Sequence, residues 1–180
     1  MKSKNSFIKF LKTREVKSPT RANQYDAGID FFIPEFTDEF IEILKNLNPN
    51  LRSNIHADSV YLYNGDRILI PSGIHCKMET PERALIAFNK SGIASKLGLV
   101  MGSSVIDFEY QGEIHLNLIN TSADGRAVRL EPGMKVVQFI ELPIYQSSID
   151  IDENSDTQTF FDNTTTTRGA GGFGSTDSKE

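Results

Sequence analysis

The order of residues predicts an all-β domain with one inserted helix and a C-terminal arm, and three observations carry that expectation. Short β-rich runs bounded by turn residues recur along most of the chain. A single segment keeps a helical period. Beyond Pro143 the apolar pattern fades into acidic, then Thr-rich, then Gly-rich sequence. At 180 residues the chain fits one domain with an arm, long enough to bury a core without disulfides or structural metal. The expected division is a β domain over 1–144, with a helical insertion at about 36–50, and an arm over 145–180.

The first stretch, MKSKNSFIKFLK, is basic but has too short an apolar run for a signal peptide, which predicts a chain kept in the reducing cytoplasm. No apolar run approaches the roughly 18 residues of a membrane helix. Runs at 29–33, 60–63, 67–70, 73–78, 84–88 and 99–101 are each too short for a helix and read as strands. Asn64-Gly65, between VYLY and DRILI, predicts a tight hairpin in which both central residues take positive φ. In TDEFIEILKNLNPN the apolar residues Phe40, Ile43, Leu44 and Leu47 repeat at helical spacing, with Thr37 placed to cap and Asn48-Pro49 closing the helix. The plain reading is a surface helix packed on the β domain; a role in binding a protein partner is the alternative. In EIHLNLIN, Ile114, Leu116 and Leu118 alternate with His115, Asn117 and Ile119, and Asp124-Gly125 turns the chain toward AVRL and KVVQFIEL. Regular strands and turns of this kind indicate a barrel or a sandwich.

Net charge is −5, from 19 Lys and Arg against 24 Asp and Glu with no long basic stretch, which disfavours nucleic acid as a partner. An anionic ligand must then be met by local positive groups. Cys76 is the single cysteine and reads as a small core residue; with 3 scattered His it makes no zinc-ligand pattern.

Three polar islands carry chemistry. The chain ends in RGAGGFGSTDSKE, where Gly169, Gly171 and Gly174 satisfy G-x-G-x-x-G, yet too little chain follows for a helix, so a dinucleotide fold is excluded. Backbone N–H groups beside Arg168, Ser175 and Thr176 make a sound phosphate clasp, and Phe173 is out of place in a plain Gly/Ser tail. In NKSGIASK, Lys90, Ser91 and the Gly92 amide suit an anion at the start of a helical turn, although Lys-Ser-Gly is also ordinary turn chemistry. In SSVIDFEYQGEI, Asp107 follows Val105-Ile106, and Tyr110-Gln111-Gly112 reads as a turn folding a hairpin back; Asp107 is either a turn residue or a general base.

The order and content of these islands resemble the trimeric dUTP diphosphatase (dUTPase) family from Tyr25 to Thr176. DAGIDF at 26–31 is similar to the first family motif, NKSGIASKLGL at 89–99 to the second, SVIDFEYQGEI at 104–114 to the third, PGMKVVQFIELPI at 132–144 to the fourth and RGAGGFGST at 168–176 to the fifth. One such motif is weak evidence, whereas the ordered set is specific. The resemblance implies a jelly-roll-like β subunit and a homotrimer with active sites shared between subunits. It implies hydrolysis of dUTP to dUMP and pyrophosphate, with Asp107 activating water for attack on the α-phosphate. Tyr110 would lie against the deoxyribose and exclude a 2′-hydroxyl. The backbone around Val105, Ile106 and His115 would bind uracil. Lys90, Ser91, Gly92 and Gln138 would contact phosphates. Phe173 would stack on uracil while Arg168, Gly174, Ser175 and Thr176 close on the γ-phosphate. Mg²⁺ is the implied cofactor, held mainly by the triphosphate and water with no direct protein ligand; Asp30 resembles the first-motif Asp and suits a network role as well as contact with metal-bound water.

The chain departs from the family pattern in places. Lys90 stands where Arg is usual and supplies a point charge without the bidentate fork, Met134-Lys135 replaces Asp-Arg, and Asp177 replaces the last Gly of the fifth motif. Two alternatives are weighed against the dUTPase reading. A dCTP deaminase shares the fold but needs a Glu at the position that aligns with Asn117. A nucleotide-sensing or partner-binding protein on the same scaffold is opposed by the presence of Asp107, Tyr110 and Phe173. Cellular and viral origins, the latter placing the protein in host cytoplasm, are equally compatible with the sequence.

Overall fold

Antiparallel strands dominate the computed structural model, which describes residues 7–171. In chain order the strands are β1 (Lys9–Lys12), β2 (Ile29–Phe32), β3 (Val60–Leu62), β4 (Arg67–Pro71), β5 (Ile74–Lys77), β6 (Arg83–Asn89), β7 (Leu99–Met101), β8 (Val105–Ile106), β9 (His115–Asn120), β10 (Val128–Leu130) and β11 (Lys135–Pro143). The helices are α1 (Asp38–Leu47), α2 (Ser91–Leu97) and α3 (Thr157–Phe160), with a 3₁₀ segment at Pro49–Asn54. The described residues form two compact units, one ending at Tyr145 and the other beginning at Gln146. The first unit holds a four-stranded sheet β2-β11-β6-β8, a three-stranded sheet β4-β9-β7, and the ribbons β1-β5 and β10-β3. Among the described residues no sheet closes into a barrel. The open sheets surround one core in the manner of a sandwich, with Phe31, Leu62, Ile70, Leu85, Leu116 and Phe139 almost wholly enclosed.

Period-2 alternation places that core. On β9, Leu116, Leu118 and Asn120 point inward and His115, Asn117 and Ile119 are only partly covered. The buried Asn120 is fully employed: its amide donates to the Leu62 carbonyl (2.8 Å) and its oxygen accepts from the Ser122 hydroxyl (2.7 Å), fastening the turn before β10.

Two local expectations fail for the same reason. Asn64-Gly65 does make a turn, with the Asp66 N–H donating to the Tyr63 carbonyl (3.0 Å), but β3 and β4 do not pair, and only Gly65 of the two takes positive φ. β3 pairs with β10 and β4 with β9, in a register that sets Ile68 against Leu118 and Ile70 against Leu116. Burying those rows across sheets outweighs the closure of a short hairpin. The segment at 104–114 likewise turns between sheets, since β8 pairs with β6 while β9 pairs with β4 and β7.

Helix α1 starts where the sequence places it. The Thr37 hydroxyl accepts from the Phe40 N–H (3.2 Å), Asp38 and Glu39 occupy the first turn and Lys45 the last, all favourable to the helix dipole. Its buried face differs from the expected stripe: Phe40, Ile41 and Leu44 are buried while Leu47 is largely exposed. Asn48 takes the next inward position. Its amide donates to the carbonyls of Leu44 and Leu69 (both 2.9 Å), and its oxygen accepts from the Leu69 N–H (2.8 Å), so one side chain closes both the helix end and the free edge of β4. Asn48→Ala strands these groups in a buried place and is expected to lower unfolding free energy by about 2–4 kcal/mol. Denaturant unfolding with an unchanged m-value checks this, and a loss under about 0.5 kcal/mol contradicts it.

Of the ribbon β1-β5, the sequence pattern marks β5 as a strand but neither β1 nor the pairing. The ribbon sets Phe10 opposite Cys76 and turns the Phe10 ring edge-on to Phe31 at 5.6 Å. Cys76 is half-buried rather than central, and burial pushes its thiol above the usual cysteine range. In the second unit, Asp156 caps α3 through the Thr159 N–H (2.8 Å).

Candidate active site

Alternation along β2 and β11 turns Asp30 and Gln138 away from the core, and the register sets Gln138 opposite Asp30 on one side and Phe88 on the other. Lys90 follows directly on β6 as the N-cap residue of α2. Its ammonium pairs with one oxygen of Asp30, and Lys135 from β11 reaches the other at 3.2 Å. Asp30 is the one buried carboxylate among the described residues, so two cations share one anion and the cluster keeps a positive excess. Lys90 and Lys135 are the positions where the family pattern has Arg, and the structure joins both departures at a single carboxylate. The Gln138 amide donates to the Asn89 carbonyl (2.9 Å) and its side chain lies over Gly28, where a Cβ would collide with the amide oxygen. Ser91 and Gly92 are exposed in the first turn of α2, where no side chain caps the free N–H groups.

A second group lies along the same sheet. Val105 and Ile106 pair with Ile86 and Leu85 of β6, leaving Val105 exposed and Asp107 just past the strand end. Ile86 and Asn89 are three residues apart on one strand, about 10 Å at 3.3 Å per residue. The Asn89 side-chain oxygen also accepts from the Met101 N–H (2.8 Å), holding the 102–104 loop beside β6. The Asp107 carbonyl accepts from the Tyr110 N–H (3.1 Å), closing a turn, while its exposed carboxylate has no hydrogen bond or ion pair among the described residues. Tyr110 is 41% exposed, its hydroxyl donates to the Glu113 carbonyl (2.8 Å), and its ring occupies the space a Cβ at Gly112 would need. His115 is partly buried, with Nδ1 2.8 Å from that same carbonyl.

Asp30, Lys90 and Gln138 are thus brought together by direct contacts, and Val105, Ile106, Asp107, Tyr110 and His115 by one turn. Arg168 lies in the second unit, where its Nε donates to the Gly171 carbonyl (3.1 Å). Phe173, Gly174, Ser175 and Thr176 fall outside the described residues. Sequence reasoning missed Asn89 and Glu113 as organisers of the site and Arg14 altogether. Their side-chain contacts span 12 to 99 residues and leave no local pattern.

A family model described as dUTPase matches residues 55–177. The chain belongs to the dUTPase family. A deoxyuridine 5′-triphosphate nucleotidohydrolase of Francisella tularensis subsp. holarctica is 33% identical over 122 residues, which is 67% of this chain and 76% of that protein. One from subsp. novicida is 32% identical over the same length and coverage. Among solved structures, the dUTPase of Staphylococcus bacteriophage 80alpha with dUpNHpp shares the fold at TM-score 0.66 and 18% identity, covering 94% of this chain and 97% of that one. The native EIAV dUTPase does so at 0.57 and 22%, covering 83% and 100%. These neighbours identify the sandwich as the jelly-roll β fold of dUTPases. A variant dUTPase from phage phi11 of S. aureus, described with a structural Mg(II) ion, matches at TM-score 0.61 and 18% identity over 82% of this chain and 97% of that one.

The donor set of this dUTPase bears on how Mg²⁺ would be held. The described residues contain no group of three or more His, Cys, Asp or Glu side chains able to hold a metal, and Asp30 is taken up by two lysines. A Mg²⁺ bound with a triphosphate can take its oxygens from phosphate and water and so needs few ligands from the protein.

Proposed function

We propose that the protein hydrolyses dUTP to dUMP and pyrophosphate, with Asp107 as the base that takes a proton from the water attacking the α-phosphorus. What carries this reading is the contrast among three carboxylates: Asp30 is saturated by Lys90 and Lys135, Glu113 by Arg14 and the Gly73 N–H, and Asp107 stands exposed on the β8 turn with no partner among the described residues. A base must have its lone pairs available, and of these three only Asp107 meets that condition among the described residues. Lys90, Ser91, Gly92 and Gln138 bind phosphates on the outer face of the four-stranded sheet. Val105, Ile106 and His115 offer backbone to uracil, and Tyr110 lies against the deoxyribose. Mg²⁺, when bound with the triphosphate, neutralises its charge. Arg168, Phe173, Gly174, Ser175 and Thr176 close over the nucleotide as a lid, in a cytoplasmic homotrimer whose sites are shared between subunits. Phe40, Ile41 and Leu44 of α1 pack into the chain's own core, while Leu47 stays exposed.

Incubation of the purified protein with each nucleoside triphosphate and Mg²⁺, followed by product identification, tests the activity; dUMP and pyrophosphate from dUTP are the expected products, and an inert dUTP overturns the proposal. If Tyr110 packs on the sugar, UTP turns over very poorly and Tyr110→Ala narrows the gap between dUTP and UTP. Equal turnover of the two by the unmodified protein would exclude the packing role.

A further inference from the structure

We propose that Arg14 and Glu113 are a positioning pair that holds Tyr110 in the orientation selecting deoxyribose; this rests on the reading of Tyr110 given above. Glu113 directly follows Gly112 at the far end of the Asp107 turn, and its carboxylate collects three donors from distant segments. Arg14 Nε lies 2.8 Å from Oε1 and Nη2 3.0 Å from Oε2, the two-pronged geometry that a guanidinium alone supplies. The Gly73 N–H donates to Oε1 at 2.6 Å. Burial pushes the Glu113 carboxyl up, but the Arg14 and Gly73 hydrogen bonds outweigh it and hold the group below the usual glutamate range.

Each neighbour of the pair fits its geometry. The Arg14 guanidinium lies 5.4 Å from the centroid of the Phe40 ring, so the inserted helix α1 provides an aromatic face for it. The Arg14 stem crosses Gly73, where φ is +73° and a Cβ would come within 2.8 Å of the Arg14 Cβ. The carbonyl of the residue so fixed is the acceptor for the Tyr110 hydroxyl at 2.8 Å. Side-chain anchorage of Glu113 therefore places its main chain, and its main chain places the Tyr110 ring.

The opposite end of the turn is held independently. Asp107 follows β8, whose residues pair with β6 and make no contact with Arg14 in the ladder. Loosening Glu113 should consequently disturb sugar choice and substrate affinity more than the chemical step. A salt bridge serving stability alone would lower the unfolding temperature without changing which nucleotide is preferred.

The test compares Arg14→Ala, Arg14→Lys and Glu113→Gln with the unmodified protein and with Tyr110→Ala, measuring kcat and KM for dUTP and UTP and checking folding by thermal unfolding. Losing a charge-assisted bond should lower the dUTP-over-UTP ratio of kcat/KM by about tenfold in Arg14→Ala and Glu113→Gln, mostly through KM, while kcat for dUTP stays within about threefold. Arg14→Lys keeps the charge without the fork and should fall between; if Arg14→Ala does not fold, this variant and Glu113→Gln decide. An unchanged ratio in the folded variants, with Tyr110→Ala lowering it, overturns the pair's role and leaves the function reading intact. A ratio that Tyr110→Ala also leaves unchanged, or an unmodified protein inert toward dUTP, overturns the reading of Tyr110 and this proposal with it.

Discussion

Asp107→Asn is expected to fold, bind nucleotide and turn over dUTP about 10²- to 10⁴-fold more slowly, the usual cost of losing a positioned base. The substitution preserves shape and can still accept a hydrogen bond from water, but a neutral amide cannot take the proton that attack on phosphorus releases. Because the Asp107 carboxylate is exposed and has no partner among the described residues, stability should change by less than about 0.5 kcal/mol. Asp30→Asn is the informative contrast. It withdraws the counter-charge from Lys90 and Lys135 and so should alter stability and phosphate affinity, an effect that loss of a base alone does not produce. Steady-state pyrophosphate release, calorimetric binding of a non-hydrolysable dUTP analogue and thermal unfolding separate the two. Turnover by Asp107→Asn within tenfold of the unmodified protein would remove Asp107 from the mechanism.

Deleting residues 168–180 should leave a stable trimer whose activity falls by about 10²-fold or more, comparable to loss of donors that stabilise a transition state. On the proposed reading the segment would bring Arg168, Phe173, Ser175 and Thr176, together with glycine N–H groups, to a triphosphate on a chain whose net charge is −5. The stretch between Pro143 and Arg168 can span roughly 80 Å when extended at ~3.3 Å per residue, enough to reach a neighbouring subunit. Mixed trimers decide whose site the arm closes. Subunits with Asp107→Asn carry an intact arm and a dead base, and truncated subunits carry an intact base and no arm. Activity recovered on co-assembly means arms cross between subunits. Mixed trimers verified by mass with no recovered turnover would place the arm on its own chain's site or outside catalysis.

The sequence by itself determined the elements whose causes are local. Thr37 caps α1 through the N–H three residues on, alternation from Ile114 to Leu118 assigns the inner face of β9, and the residues around Lys90, Asp107 and Gln138 can be read as family motifs because each motif is a continuous run. Tertiary structure alone decided what depends on residues far apart in the chain. Asn64-Gly65 marks a turn, yet the choice of β10 and β9 as partners for the flanking strands came from burying Leu62, Ile68 and Ile70 against rows more than 40 residues away. The helical period suggested Leu47 for the buried stripe, but the free edge of β4 needed a donor and an acceptor, and Asn48 supplies both. Lys135 and Lys90 meet at Asp30, and Arg14 meets Glu113 across 99 residues, because sheet register and not sequence spacing brings those charges within reach. Local patterns report which face of an element is apolar; they carry no information about which distant charge will lie beside it once the sheets have packed.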